Sequence, residues 1–295
     1  QSGLPTGSLV INGNSYTLYR TLAQLDALDG DDASKLLITA ADSEQNLGYI
    51  ALAEDLTATG TYYRALLGRD YFNRLYMNFD GLGHSISNLK IDNYTPVGGV
   101  APALMNSGMF GYLQSGSIAN LSLFDASVIG TSTDGVLAGE NVGAISGCLT
   151  SGSIINVSND LIQTGGLVGR HYGVIQNSGA NVVVSAPQVS YSSYNVGIGG
   201  LVGSLQINGT IANSFAMGPV STNGSIVRTG GLVGYTLSLS GKPSISDSYA
   251  TGFVSNGSDP LTSTTMFGLA STEEATVTNS WWDSTSSGVS GSVTN

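Results

Sequence analysis

A five-residue glycine-rich segment that recurs along the chain restricts the possible fold more than any other feature. It reads Gly165-Gly166-Leu167-Val168-Gly169 and returns with the same letters at residues 199–203 and 230–234. Each copy is followed by a short run that ends in Asn-Ser or Asp-Ser, at residues 174–178, 210–214 and 244–248. A pattern that recurs in this way is one structural unit used several times, which is typical of stacked repeat architectures.

An Asn or Asp at the end of the second run marks further units on both sides of these copies. The marked positions are Asn88, Asn120, Asn156, Asn177, Asn213, Asp247 and Asn279. They predict about seven units, with atypical terminal copies that cap the array. The recurring side chain has two interpretations. It is either a structural ladder, whose amides bond along the stack and satisfy turn backbone, or a row of ligand-binding groups. We favour the ladder because Asp247 replaces Asn in place.

The length of the apolar runs indicates the fold class. Each unit contains three short runs rich in Val and Ile, separated by Gly, Ser and Asn, and none is long enough for a helix. Three such strands cannot close a sheet alone, but they can form one coil of a solenoid whose stacked coils make parallel sheets. The sequence therefore predicts an all-β fold, a right-handed parallel β-helix of about seven rungs. Its Leu and Val residues would lie inside, and its glycines would suit tight corners because glycine accepts a positive φ without steric cost.

The first part of the chain has a different pattern and is predicted to cap the solenoid. Residues 8–20 read as a hairpin around an Asn12-Gly13 turn. Thr21 is a plausible N-cap for a short helix over Leu22–Leu28, which would cover unpaired strand edges. We therefore divide the chain into two regions. Residues 1–78 form an N-terminal capping region with the hairpin, the helix and an aromatic-rich segment, and residues 79–295 form the repeat β-helix.

Two further motifs bracket the repeats, Phe79-Asp80-Gly81-Leu82-Gly83-His84 before them and Asn279-Ser280-Trp281-Trp282-Asp283 after them. Together with these motifs, the repeat resembles the GLUG repeat of filamentous-haemagglutinin-like bacterial adhesins. The resemblance implies a segment secreted by a two-partner route to the bacterial surface or the biofilm matrix, with a role in cell adhesion. It supplies no catalytic residue.

Composition excludes several partners. Nine basic against twenty acidic side chains give a net charge of −11, which argues against nucleic acid and anionic membranes as partners. No apolar run approaches the roughly twenty residues of a membrane span, so membrane insertion is not expected. The single Cys148 provides no disulfide framework and is expected inside, in place of an apolar residue. The chain begins with Gln1 and shows no signal peptide, so we expect a mature or excised fragment.

Aromatic side chains provide the candidate binding sites. Residues 60–78 combine aromatic rings with arginines, a composition that can bind sugars, although packing of the cap against the first coils is the favoured interpretation. An insertion rich in Tyr and Ser, and the adjacent tryptophans near the end, offer further rings. His84 and His171 are expected in turns. The candidate ligand-binding residues are Tyr62, Tyr63, Arg64, Tyr71, Tyr191, Tyr194 and Trp282.

We interpret the sequence as a noncatalytic adhesin segment, a monomeric, secreted or surface-exposed rigid β-helix whose loops bind a glycan, an exopolysaccharide, or a host or bacterial surface protein. It is not expected to be an enzyme or to hold a cofactor or metal. One alternative is a β-helical polysaccharide lyase or hydrolase, although such enzymes cluster Asp, Arg, Lys or His in one groove. Another is an ice-binding solenoid, although its Thr-x-Thr pairs lack a rung-to-rung period.

Overall fold

The chain folds as an all-β parallel β-helix, in agreement with the predicted fold class. The structure, a computed structural model, describes residues 7–30, 44–96, 106–158, 162–187, 196–223, 228–257, 266–270 and 275–289. Within these ranges the strands are short and most of them pair in parallel with the equivalent strand one rung away. The number of rungs and the hand of the coil stay predictions.

The described strands and helices follow one another in chain order. The strands of the first half are β1 (Ser8–Ile11), β2 (Asn14–Tyr19), β3 (Gln45–Leu52), β4 (Leu56–Thr57), β5 (Thr61–Tyr62), β6 (Leu75–Asp80), β7 (Ser85–Ser87), β8 (Lys90–Asp92), β9 (Phe110–Ala119), β10 (Ser122–Gly130), β11 (Thr133–Gly135), β12 (Ala138–Asn141), β13 (Ala144–Ser146) and β14 (Leu149–Asn156). Those of the second half are β15 (Gln163–Gly165), β16 (Val168–His171), β17 (Val174–Gln176), β18 (Gly179–Ala186), β19 (Gly197–Gly199), β20 (Val202–Leu205), β21 (Thr210–Ala212), β22 (Phe215–Ala216), β23 (Val220–Thr222), β24 (Arg228–Gly230), β25 (Val233–Thr236), β26 (Ser244–Ser246), β27 (Tyr249–Ala250), β28 (Val254–Asn256), β29 (Met266–Phe267), β30 (Thr276–Thr278) and β31 (Trp281–Trp282). The helices are α1 (Leu22–Asp26), a 3₁₀ turn (Ala27–Asp29) and α2 (Ser284–Ser287).

Three sheets form the walls of the β-helix. Sheet A runs in the order β1-β2-β3-β6-β9-β13-β17-β21-β26-β30, with β12, β16, β20 and β25 branching from β9. Sheet B runs in the order β31-β27-β22-β18-β14-β10-β7-β4 and also contains β5, β8, β23 and β28. Sheet C is the row β11-β15-β19-β24-β29. The one antiparallel pair among the strand pairings of the described residues is β1 with β2.

The glycine-rich repeat joins sheet C to sheet A. In the first copy β15 ends at Gly165, the chain turns, and β16 begins at Val168. Leu167 and Val168 are fully buried, as predicted for the core. The glycines lie at the predicted corner, but none of them uses the positive φ that was the expected reason for glycine there. They are instead sites of close backbone approach: a methyl group on Gly169 would lie 2.6 Å from the Asp134 nitrogen and 2.7 Å from the Gly139 oxygen.

The Asn positions of the second signature form a corner between sheets A and B. The members in the left-handed conformation are Asn88, Asn120, Asn177, Asn213, Asp247 and Asn279. Asn156 is not part of this corner. It ends β14 and is fully buried, where its Nδ2 bonds Ser132 O at 3.2 Å. Gly147, with φ +63°, takes the corner in that rung, because its N–H donates to Gln176 O.

A column of side chains, all buried except the last, runs beside this corner and carries the bonds along the stack. Its hydroxyl members are Ser178, Ser214, Ser248 and Ser280. Ser214 Oγ accepts from the Ser178 N–H at 3.3 Å and donates to Ala212 O at 2.8 Å, and the next rungs repeat this pattern. Between the corner residues themselves, Asn279 Nδ2 donates to Asp247 Oδ1 at 3.3 Å. The serine column was not predicted.

Cys148 continues the serine column by one rung. Its N–H donates to Ser178 Oγ at 3.1 Å, and its thiol contacts Ser146 O at 3.5 Å as a serine hydroxyl would. It is fully buried, as predicted, and burial raises the pKa of its thiol to about 12. The thiol is therefore a packing group that stays protonated at neutral pH.

Replacing Ser214 by alanine is expected to cost about 1–3 kcal/mol of unfolding free energy, because the Ser178 N–H loses its acceptor in a buried site. Ser214→Cys is the matched control, since Cys148 fills the equivalent place, and we expect a smaller loss. Urea unfolding followed by circular dichroism measures both. An alanine variant as stable as the wild type would contradict the role assigned to the column.

The N-terminal region has the predicted hairpin and helix. β1 and β2 pair antiparallel around Asn12 and Gly13, both at positive φ, and Thr21 Oγ1 caps α1 by accepting from the Gln24 N–H at 3.1 Å. The helix is shorter than predicted, because the 3₁₀ turn replaces its last residues. The predicted division at residue 78 falls inside β6, which pairs with β3 on one side and β9 on the other. Sheet A is therefore continuous across this position, and two separate domains stay a prediction.

Candidate functional site

The residue that follows the last glycine of each repeat lies in one line across sheet A. Strand pairing places Tyr112 beside Glu140, Glu140 beside Arg170, Arg170 beside Ser204, and Ser204 beside Tyr235. We call these five residues the Tyr112–Tyr235 row. Because adjacent strands are about 4.8 Å apart, the four steps span roughly 19 Å. The residues that alternate with the row along each strand, such as Leu113 and His171, are buried in the core.

Glu140 and Arg170 form the centre of the row. Arg170 Nη1 lies 3.4 Å from Glu140 Oε2, and Arg170 Nε bonds Gln163 Oε1 from the neighbouring strand of sheet C. The Glu140 side chain is 14% exposed and that of Arg170 is 31% exposed. Burial raises the pKa of Glu140, and the positive charge of Arg170 opposes this shift. The centre is thus a half-buried ion pair that solvent still reaches.

Aromatic rings and arginines flank this centre on both sides. On the N-terminal side, the Tyr71 ring stacks on Tyr112 with centroids 6.1 Å apart, and the Arg74 guanidinium lies 4.7 Å from the Tyr71 centroid. Burial raises the pKa of Tyr112 to about 12, and the nearby Glu140 charge adds to the shift. On the C-terminal side, the Arg228 guanidinium lies 4.6 Å from the Tyr235 centroid.

A polar network fixes the N-terminal end of the row. Gln114 Oε1 accepts from Tyr112 OH at 3.0 Å and from Arg74 Nη1 at 3.2 Å. Arg74 also pairs with Glu44, and this bond raises the pKa of Arg74 and lowers that of Glu44. The side chains of Tyr112, Ser204 and Tyr235 are buried. The groups that a ligand can reach are the exposed Tyr71 ring, the Arg74 guanidinium and the Glu140–Arg170 pair, all held in fixed positions, which suits the binding of an extended polar chain.

The structure separates the residues that the sequence grouped as candidate binding sites. Tyr71 is exposed and contacts the row, whereas Arg64 is buried. Tyr62 packs against the core and lines a pocket of about 310 Å³ beside α1, and Tyr63 is half-buried. Trp282 is half-buried and donates Nε1–H to Val289 O at 3.4 Å. Tyr191 and Tyr194 lie outside the described residues.

Sequence reasoning missed the row itself. Glu140, Arg170 and Tyr235 were not singled out, although each follows the last glycine of its unit. That offset was the available signal, because a repeat places equal offsets on one line. His171, predicted in a turn, lies in β16 inside the core. In the described ranges, no group of three or more His, Cys, Asp or Glu side chains could hold a metal ion.

The chain is similar in sequence to one known protein and in fold to another. No family model matches the chain. The chain is 28% identical over 222 residues to an immunoglobulin A1 protease of Streptococcus pneumoniae, an alignment covering 67% of this chain and 11% of that protein. The chain is similar to an immunoglobulin A1 protease. A crystal structure of a Bacteroides ovatus protein, provisionally named immunoglobulin A1 protease, has the same fold at TM-score 0.60 and 19% identity, covering 90% of this chain and 74% of that one.

These similarities correct the functional interpretation of the sequence. The assignment to GLUG-repeat adhesins is wrong, because the proteins to which the chain is similar in sequence and in fold are named proteases. The same finding overturns the interpretation as a noncatalytic adhesin of the biofilm matrix secreted by a two-partner route, and the prediction that the chain is not an enzyme. Within the described part of the chain, no helix is long and apolar enough to cross a membrane.

Proposed function

We propose that this chain acts in a bacterial endopeptidase of the immunoglobulin A1 protease type, and that its β-helix binds the polypeptide substrate. The sequence similarity over 222 residues carries the proposal, and the shared fold supports it. The chain spans 11% of the length of the curated relative, so the cleavage activity of that protein is extended to this chain only as part of the proposal. An immunoglobulin is met outside the cell, so the proposal includes export.

The Tyr112–Tyr235 row is the surface we assign to substrate binding. A polypeptide lying along it can stack a side chain on the exposed Tyr71 ring and exchange charges with the half-buried Glu140 and Arg170. The ion pair is already half-buried, so a substrate group that displaces one partner must replace its bonds. A row of this kind favours a segment with the matching order of charges and rejects others.

We expect the complete gene product to cleave immunoglobulin A1 and this chain to bind it. Peptide mass spectrometry of the incubated heavy chain detects new termini, and surface plasmon resonance measures binding by the chain. Glu140→Gln/Arg170→Gln keeps the shape of the row but removes both charges, and we expect at least about a tenfold loss of affinity. The expected cleavage defect lies in KM rather than kcat.

Lys90→Gln is the matched control for the charge change, since Lys90 is exposed on sheet B, away from the row. It should bind and support cleavage as the wild type does. The proposal is overturned if immunoglobulin is neither bound nor cleaved. Wild-type binding by the Glu140→Gln/Arg170→Gln variant would remove the row from the proposal.

A further inference from the structure

The outer face of sheet B carries a line of aromatic rings that the proposed peptidase function does not use. Strand pairing places Gly179 beside Phe215, Phe215 beside Tyr249, and Tyr249 beside Trp281. Tyr249 is 42% exposed and Trp281 is 63% exposed. We call Phe215, Tyr249 and Trp281 the aromatic platform. Large apolar side chains that remain exposed together on consecutive rungs are the usual mark of a binding surface.

The first ring of the platform lies flat on the sheet. Phe215 Cζ, Cε1 and Cε2 all lie within 2.6 Å of the place where a Cβ on Gly179 would be. Three ring atoms can lie at nearly equal, short distances from one point only when the ring face covers that point. The glycine thus allows the ring to lie across it, and the Phe215 side chain stays partly exposed. The Tyr249 ring is parallel to it within 13°, with centroids 5.5 Å apart.

A row of side chains borders each edge of the platform, polar throughout along one edge and polar except for Met217 along the other. The edge formed by the Asn corner consists of Asn177, Asn213, Asp247 and Asn279, all exposed. The other edge consists of Asn181, Met217, Thr251 and Asp283, aligned by backbone bonds from one rung to the next. Amide and carboxylate groups beside an aromatic face can bond the hydroxyls of a ligand whose apolar side stacks on the rings.

The charges of the platform and of its two bordering rows indicate which class of ligand it can bind. Asp247 and Asp283 are the charged residues among the platform and its two bordering rows, and none is basic. An acidic ligand would find no positive group there and would be repelled, and a nucleic acid would lack the basic footprint it needs. A chain of sugar rings presents apolar ring faces and many neutral hydroxyls, which is the chemistry that flat aromatic rings edged by amides bind.

We propose that the aromatic platform of sheet B binds a neutral polysaccharide chain. The polysaccharide lies along the axis of the β-helix, with its sugar rings on Phe215, Tyr249 and Trp281 and its hydroxyls bonded to the corner amides. The ligand-binding interpretation of the Asn positions, which the sequence left open, applies to the exposed corner side chains in this part of the chain. The proposal does not depend on peptidase activity, since the Tyr112–Tyr235 row lies on sheet A.

Affinity electrophoresis through gels containing laminarin, dextran or galactomannan tests the proposal, with alginate as the acidic comparison. We expect the chain to be retarded by at least one neutral polysaccharide and not by alginate. Tyr249→Ala/Trp281→Ala should raise the apparent Kd about tenfold, because two stacking rings are lost. Trp281 is one of two tryptophans, so binding should also shift the intrinsic fluorescence of the wild type.

Two further variants show whether a loss is specific. Asn213→Gly removes a corner amide and keeps the positive φ of 50°, which glycine accepts, so it should weaken binding without unfolding the chain. Val174→Ala changes an exposed apolar residue of sheet A and should bind as the wild type does. No retardation by any neutral polysaccharide, or equal retardation of the Tyr249→Ala/Trp281→Ala variant, overturns the proposal. The Glu140→Gln/Arg170→Gln variant should still be retarded, which separates this site from the proposed function.

Discussion

Gly203→Ala is expected to lower the free energy of unfolding by about 3 kcal/mol or more, at the upper end of what overpacking costs. A methyl group there would overlap the Thr164 backbone nitrogen and lie 2.7 Å from the Gly169 oxygen and 2.8 Å from the Gln163 carbonyl carbon. All three contacts are backbone atoms, so no side chain can move aside. β15 and β20 would have to separate, which opens the seam between sheets C and A at the middle of the repeat array.

Urea unfolding followed by circular dichroism measures this effect, and hydrogen exchange locates it. Each rung contacts only its neighbours. Among all backbone amides, those of β15, β16 and β20 should therefore show the largest increase in exchange rate from the wild type to the variant. Gly60→Ala is the control, because Gly60 is exposed, lies outside the left-handed region and has open space where a Cβ would be. We expect the control to stay within about 0.5 kcal/mol of the wild type. Equal stabilities of the two variants would contradict the close-approach role of the repeat glycines.

The spacing of the repeats was enough to predict the fold class and its core. Leu167, Leu201 and Leu232 recur with the same neighbours, and an apolar residue at a fixed place in every coil can only stack on its own copies. The same logic predicted the hairpin and α1, whose turn and cap are local chemistry. Properties set within one unit, or between equal places in successive units, were therefore accessible from the sequence.

Structural features that depend on how different parts of one coil pack against each other could not be predicted from the sequence. The repeat glycines read as corners, because a sequence does not distinguish a residue that needs positive φ from one that needs a bare backbone. Asn156 was counted among the corner residues because the real corner of that rung is Gly147, which has no side chain to mark it. The Tyr112–Tyr235 row occupies equal places in successive units, so the offset from the last glycine could have located it, but its residues differ in type from rung to rung. Residue type alone could not connect them.

Two buried ionisable groups are expected to give the chain opposite pH dependences that nearly cancel. Burial raises the pKa of Asp134 from 3.8 to about 7, against hydrogen bonds from Ser107, Ser132 and Asn156. The folded chain therefore keeps a proton that the unfolded chain loses, and unfolding free energy falls as pH rises through this range. Burial lowers the pKa of His171 from 6.5 to about 3, so its contribution to stability is complete above pH 6.5 and is lost as pH falls.

Substitution of either group is expected to expose the contribution of the other. In Asp134→Asn, only the histidine contribution remains, and unfolding free energy should rise by about 1.4 kcal/mol per pH unit between about pH 4.5 and 6.5. In His171→Leu, which places leucine beside Leu205 at the same register, unfolding free energy should fall with pH at a similar rate. The wild type and the double variant should both be nearly flat.

Urea unfolding at a series of pH values measures these four slopes, and their differences isolate the two buried groups. Glu44, Asp55 and Asp283 have lowered pKa values, so their contributions are lost at more acidic pH and are shared by all four proteins. Glu140, whose pKa is raised, is likewise common to all of them. Single variants whose slopes run parallel to the wild type would show that Asp134 and His171 do not titrate as their burial requires. Opposite slopes would mean that this β-helix keeps an even stability across mildly acidic pH by burying one acid and one base.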